Sequence, residues 1–299
     1  MRTLHPATVV AILLVALVLN IYILVGMHKK ECSIIEARNY GTVKEGSFAT
    51  WTGVINFFSE LHDVTPKALQ PLHLSPTKSV HKKLVIGIPF APERTRYISG
   101  TLSSLFDKLD EDYRNDVMVL LMIASNETDT ENFREKTAWI QGNFSKEIES
   151  GLMKVIAVPK AWYRIAVRSV PPTFGDSLER MYWRTKQNID YIYIMTYASQ
   201  MCDYYLQLED DVVAADGYIR VIFNYLTFKS DSSWFLISFT KIGFIGKLFR
   251  STDLKYMSYA IALYHRFKPV DWILWDLLTG RYCDPGKSPQ DCAQKKHHY

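Results

Sequence analysis

Only four cysteines are spread over the 299 residues, too few to staple a chain of this length, so its stability must come from an apolar core. No segment repeats, which excludes a solenoid. Neither sign of charge is in large excess: 35 Lys and Arg against 31 Asp and Glu leave +4. The basic residues are scattered instead of forming a stripe, so nucleic acid is not expected as a partner. Apolar residues are abundant, at 48% overall and 13% aromatic. That composition is globular, and the length admits one large domain or two small ones.

The longest apolar run is "ATVVAILLVALVLNIYILVGM", Ala7 to Met27, broken only by Asn20. At about 1.5 Å per residue it spans a hydrocarbon layer of roughly 30 Å. It is longer than the core of a cleaved signal peptide and lacks a small-x-small cleavage site, so an uncleaved anchor is expected. Arg2 precedes it and Lys29 and Lys30 follow it, which leaves the orientation ambiguous by charge alone. Two sequons, "NET" at Asn126 and "NFS" at Asn143, favour a lumenal body. Cys283 and Cys292 flank a Pro/Gly-rich loop that a disulfide would close, the alternative being two unrelated thiols. Cys32 stands beside the membrane run as a candidate for acylation or cross-linking, and Cys202 reads as a buried thiol.

Residues 28–82 pattern poorly and carry several prolines, so they read as a stem or linker with one short helix near "VINFFSELHDV". From 83 to 299 the texture changes. Short apolar runs, "LVIGIP", "DVMVLLMIA", "MKVIAVP", "YYLQL" and "WFLISF", alternate with segments of helical spacing. The alternation predicts an α/β fold with a mostly parallel central sheet. In such sheets ligands sit beyond the carboxyl ends of the strands.

Glu209, Asp210 and Asp211 stand at one such end, directly after "YYLQL". Adjacent carboxylates repel, and burial raises that cost, so a positive group is expected among them. A hard divalent ion, Mn or Mg, is the candidate cofactor. The bland alternative is a solvated turn opening the next helix.

The runs "FGD" at 174–176, "WRTKQNIDY" at 183–191, "YYLQLEDD" at 204–211, "GFIGKLFRSTDL" at 243–254 and "KPVDWIL" at 268–274 resemble the N-acetylglucosaminyltransferase IV family. The resemblance covers roughly Val85 to Cys292. It implies a GT-A type nucleotide-sugar fold behind one transmembrane helix: a cytosolic tail at 1–6, a signal anchor at 7–27, a stem and a lumenal body in the Golgi. It further implies transfer of GlcNAc from UDP-GlcNAc to a mannose arm of an N-glycan, with inversion to a β1,4 linkage. On this resemblance Asp211 is the metal ligand and Glu209 and Asp210 lie near the ribose. Arg184 and Lys186 have the sign to meet a diphosphate, or else form salt bridges on a helix. Trp183 is expected to pack.

The chain departs from the family pattern in three places. Ser238 stands where the family has an acid, and Trp275 where it has Asp, with Asp276 one place later. Asp271 is then the remaining candidate base, its other role being to cap the helix that follows. The chain also stops at "CAQKKHHY", short of the segment that family members continue into. Two functions compete on these grounds. One is an active UDP-GlcNAc-dependent transferase. The other is an impaired relative that binds other Golgi glycosyltransferases and modulates N-glycan processing.

Overall fold

A computed structural model describes residues 49–76, 81–165, 170–230, 232–284, 286–287 and 292. The expected membrane span, its tail and Cys32 lie outside these residues. Among the described residues no helix is long and apolar enough to cross a membrane.

In chain order the elements begin with α1 (Ala49–Ile55), β1 (Leu72–His73), β2 (Lys82–Phe90), α2 (Thr95–Asp107) and β3 (Val117–Ile123). They continue through α3 (Glu131–Asn143), α4 (Ser145–Glu149), β4 (Met153–Ala157), α5 (Leu178–Ala198) and β5 (Cys202–Gln207). Last come α6 (Tyr218–Phe228), β6 (Ile237–Ser238), β7 (Lys247–Arg250), α7 (Leu254–Tyr264) and α8 (Val270–Tyr282). The seven strands form one sheet in the order β1-β4-β3-β2-β5-β7-β6. The four central strands, β4, β3, β2 and β5, are mutually parallel; β1 and β7 run antiparallel to them on the flanks, and β6, paired antiparallel to β7, runs in the central direction again.

The central strands read as continuous apolar runs because both faces are covered. On one face α2, α3 and α6 pack through Ile98, Leu102, Phe133, Ile140, Ile222 and Leu226. On the other lie α1, α5, α7 and α8, centred on Ile189, Tyr193, Met257 and Ile273. Helix α5 runs 21 residues with neither Gly nor Pro inside it, and it begins where the Ser177 hydroxyl accepts from the Arg180 N–H at 3.2 Å. Thr130 caps α3 in the same way, accepting from the Phe133 N–H.

Three expectations need correction. Residues 49–76 are not a linker. Trp51, Val54, Phe58, Leu61 and Leu69 are buried, Trp51 packs on Trp162 and Tyr193, and the Tyr193 hydroxyl donates to the Leu69 carbonyl at 2.9 Å. The stretch is divided into short helical turns, Ala49–Ile55, Ser59–Leu61 and Pro66–Leu69, which hides an apolar spacing of three and four residues in its first part. The run at 234–239 yields only a two-residue strand, β6, because it pairs with β7 alone at the sheet edge. Strand β7, inside "GKLFR", was not anticipated; it reaches β6 through a turn in which Gly246 has φ 64°.

The disulfide reading holds: Cys283 and Cys292 are bonded, with Cα atoms 5.1 Å apart. Cys202 is a free, buried thiol, and burial pushes its pKa up to about 12. Asn143 is the exposed last residue of α3, its amide donating to the Trp139 carbonyl at 2.8 Å, and Asn126 lies in the loop after β3.

Candidate functional site

Chain order β2, β3, β4 runs outward on one side of β2, and β5 lies on the other side. The direction of strand addition therefore reverses between β2 and β5. In open parallel sheets this switch point leaves a crevice at the carboxyl ends of the two strands. The loops that border it here are Ala91–Arg94, after β2, and Leu208–Gly217, after β5.

Glycine at residue 87 leaves the room that the Tyr205 side chain fills. A Cβ there would lie 2.2 Å from the Tyr205 hydroxyl. That hydroxyl donates to Gln207 Oε1 at 2.6 Å, Gln207 Nε2 donates to the Leu208 carbonyl, and the Leu208 N–H donates to Gly87 O. The end of β5 is thus fixed just before the acidic triplet.

Helix α2 holds the triplet from the other side. The Thr101 hydroxyl lies 2.8 Å from the Asp210 carbonyl and 2.9 Å from the Val212 carbonyl, and accepts from the Val212 N–H. Ser104 Oγ accepts from the Ala214 N–H, and Lys108 Nζ donates to the Ala214 carbonyl. Positions 101, 104 and 108 share one helix face, so a single helix fastens the whole acidic loop.

A positive side chain, Arg94, lies among the carboxylates. Its Nε donates to both oxygens of Asp210 at 3.0 and 3.2 Å, and its Nη2 donates to Asp211 Oδ2 at 2.6 Å. The Asp210 side chain is 7% exposed, that of Arg94 42%. Burial weighs against the Arg94 charge, but Asp210 and Asp211 more than offset it, so its pKa stands above the ordinary value. Glu209 is held separately, accepting from the Tyr191 hydroxyl at 3.2 Å. Burial pushes the pKa values of Glu209 and Asp210 up, and repulsion within the triplet adds to this, against the Tyr191 bond and the Arg94 charge respectively.

A raised carboxyl pKa favours the folded state below the unfolded values near 4, and that stabilisation is lost as pH rises through the folded pKa. Glu209→Gln keeps an acceptor for Tyr191 and removes the charge. It is expected to raise Tm by about 2 °C at pH 7 and by little at pH 4. Thermal melts at the two pH values test this; an equal shift at both would contradict it.

The other expected site residues lie elsewhere. Arg184, 2% exposed, donates from Nη1 to Asp176 Oδ2 at 2.7 Å and from Nη2 to the Phe267 carbonyl at 3.1 Å and to the Thr173 hydroxyl. Lys186 Nζ bonds Asp190 Oδ2 at 2.8 Å and the Ala124 carbonyl at 2.9 Å, and the Tyr163 hydroxyl donates to Asp190 Oδ1 at 2.7 Å. Both cations are paired within the protein itself, Arg184 through its two Nη groups while its buried Nε has no partner, so the salt-bridge reading of each is the one the geometry supports. Trp183 packs only in part; it is half-exposed on α5. Asp271 is exposed in the first turn of α8 and is not its cap, which is Pro269. Asp276 pairs with Lys268. Phe174, in the "FGD" run, has φ 58° and stacks edge-on against Trp272 at 5.0 Å, a strained residue held by its neighbours.

The inward carboxylate oxygens of Asp210 and Asp211 are occupied by a guanidinium, and among the described residues no three His, Cys, Asp or Glu side chains are grouped to hold a metal ion. A divalent ion does not fit these residues while Arg94 keeps its place. Sequence reasoning missed Arg94. Its only signal was position, a basic residue in the loop after the first central strand.

Over 214 residues the chain is 38% identical to alpha-1,3-mannosyl-glycoprotein 4-beta-N-acetylglucosaminyltransferase A of Xenopus tropicalis, covering 71% of this chain and 39% of that one. It is 37% identical to the B enzyme of Homo sapiens, covering 71% and 38%. The chain thus spans about 39% of the length of the curated relatives it matches. The crystal structure of S. aureus TarS 1-349 overlaps 72% of this chain and 69% of that one at 9% identity and a TM-score of 0.36, too low to carry an argument. The MGAT4 conserved region matches residues 50–299, and the chain belongs to that family.

Proposed function

We propose that the crevice between β2 and β5 binds a nucleotide sugar, UDP-GlcNAc, and that the chain transfers GlcNAc to a mannose arm of an N-glycan with inversion to a β1,4 linkage. The fold on this reading is of GT-A type, carried on an N-terminal anchor with its body in the Golgi lumen. The observation that carries the proposal is the meeting of Arg94 with Asp210 and Asp211 at the switch point of the sheet. That arrangement combines hydroxyl-binding carboxylates with a cation at the mouth of a crevice. The carboxylates suit the ribose and sugar hydroxyls, and the guanidinium suits a diphosphate.

In the transfer, an acceptor hydroxyl attacks the anomeric carbon, the bond to UDP breaks, and the hydroxyl proton passes to a base. Charge developing on the departing diphosphate is what a fixed cation stabilises. Asp271 makes no side-chain hydrogen bond or ion pair among the described residues, which leaves it free to take the proton only if the acceptor brings the reacting hydroxyl to it.

The test is UDP release and product analysis with UDP-GlcNAc and a defined biantennary N-glycan. A new GlcNAc on the mannose arm, lost in Asp210→Asn, supports the reading. Product formation unchanged in Asp210→Asn would remove the triplet from the reaction.

A further inference from the structure

We propose that Arg94 takes the place of a divalent cation at the carboxylate site, so that this chain binds the diphosphate of its nucleotide without a metal ion. The proposal rests on the nucleotide-sugar reading above and specifies how that site is charged.

The first ground is occupancy. Arg94 engages both oxygens of Asp210 and one of Asp211, with distances of 2.6 to 3.2 Å. A metal ion would have to share those oxygens with a fixed positive charge in hydrogen-bond contact, and like charges that close repel strongly in a partly buried site. The second ground is unused capacity. A guanidinium has five N–H donors in a planar fork. The carboxylates take Nε–H and one of the Nη2 hydrogens, which leaves three. The side chain is 42% exposed, so those donors are reachable from the crevice. A guanidinium bound on one edge by carboxylates and open on the other is a bridge, able to hold phosphate oxygens as a pair of N–H bonds.

The third ground is support. Arg94 lies over the Tyr97 ring, 5.2 Å from its centroid, which holds the fork in one plane. Asp210 is fixed by Thr101 through its carbonyl, so the partner of the guanidinium is itself immobile. The arrangement needs no ion to neutralise the buried Asp210 carboxylate, because the counter-charge is covalently part of the first βα loop.

Calorimetry of the purified full chain with UDP, in chelator and in Mn(II), decides the matter. The wild type is expected to bind UDP with the same affinity, within about twofold, under both conditions. Arg94→Gln is expected to weaken UDP binding in chelator by about tenfold or more, the loss of a charge-assisted pair. With the carboxylates released, the same variant should recover affinity when Mn(II) is added. Arg94→Lys keeps the charge without the fork and should fall between the two, independent of metal. Thermal melts of each variant report whether the fold is intact. If Arg94→Gln does not fold, the wild-type comparison and Arg94→Lys still decide. UDP binding by the wild type that is tenfold tighter in Mn(II) than in chelator overturns the proposal and leaves the nucleotide-sugar reading standing. No UDP binding under either condition by a folded chain overturns both.

Discussion

Purified free of other transferases, the chain is expected to transfer GlcNAc to a biantennary glycan at least about a hundredfold more slowly than the curated relatives it matches. The reason lies at position 238, where the family resemblance places an acid and this chain has serine. The Ser238 hydroxyl donates to the Thr240 carbonyl at 2.6 Å and accepts from Lys247 Nζ at 2.8 Å. Lys247 also donates to the Thr240 carbonyl at 2.8 Å. It is 5% exposed, burial pushes its pKa down, and among the described residues it forms no ion pair. An ammonium in this setting is short of a counter-ion, and a carboxylate at 238 would supply one. Loss of a positioned base costs about 10²–10⁴-fold. Ser238→Glu is therefore expected to raise Tm by several degrees, through its pairing with Lys247, and to raise turnover about tenfold or more. Wild-type turnover near that of the relatives would sink the idea, as would a Ser238→Glu chain that melts lower and works no better.

Arg184→Ala is expected to cost about 3 kcal/mol of folding stability, since removing one partner of a buried ion pair strands the other. Arg184 joins the strained 173–176 loop to the segment before α8, through Asp176, Thr173 and the Phe267 carbonyl, and the Phe174 ring lies 5.7 Å from its guanidinium carbon. Arg180 also pairs with Asp176, at 3.1 Å, but it is largely exposed and cannot replace the buried contacts. Arg184→Lys should recover less than half of the loss, because an ammonium cannot reach three acceptors set out for a fork. Urea unfolding of the three proteins measures both values. A loss below about 1 kcal/mol would mean that the contacts are not what holds this corner. UDP affinity in Arg184→Lys should stay within about twofold of wild type, which separates this structural role from diphosphate binding.

The sheet was legible because its central strands are buried on both faces and so appear as unbroken apolar runs. Leu84–Pro89, Val117–Ile123 and Met153–Ala157 could be read without any partner in view. The acidic triplet was legible for a similar reason: like charges at the end of such a run are anomalous in one dimension. Residues 49–76 were not legible. Their apolar residues fall on short separate helical turns, and only their packing in one core with α5 shows that they have a surface to cover. Strand β7 and the shortness of β6 depend on pairing across a turn, which sequence spacing does not register.

The sequence by itself determined the α/β alternation, the Cys283–Cys292 pairing, the buried Cys202 and the place of the triplet at a strand end. It also led to the expectation of a positive group at the triplet, with a solvated turn as the alternative. Only the tertiary structure shows which side chain of the protein meets the triplet. Arg184 and Lys186 had the right charge and stood in the family's own motif, yet both are consumed by Asp176 and Asp190 on the far side of the sheet from α2. Arg94 is 116 residues from Asp210 in the chain and meets it because β2 and β5 are neighbours at the switch point. Such a contact is set by strand order, and strand order is fixed by which apolar faces must be covered together.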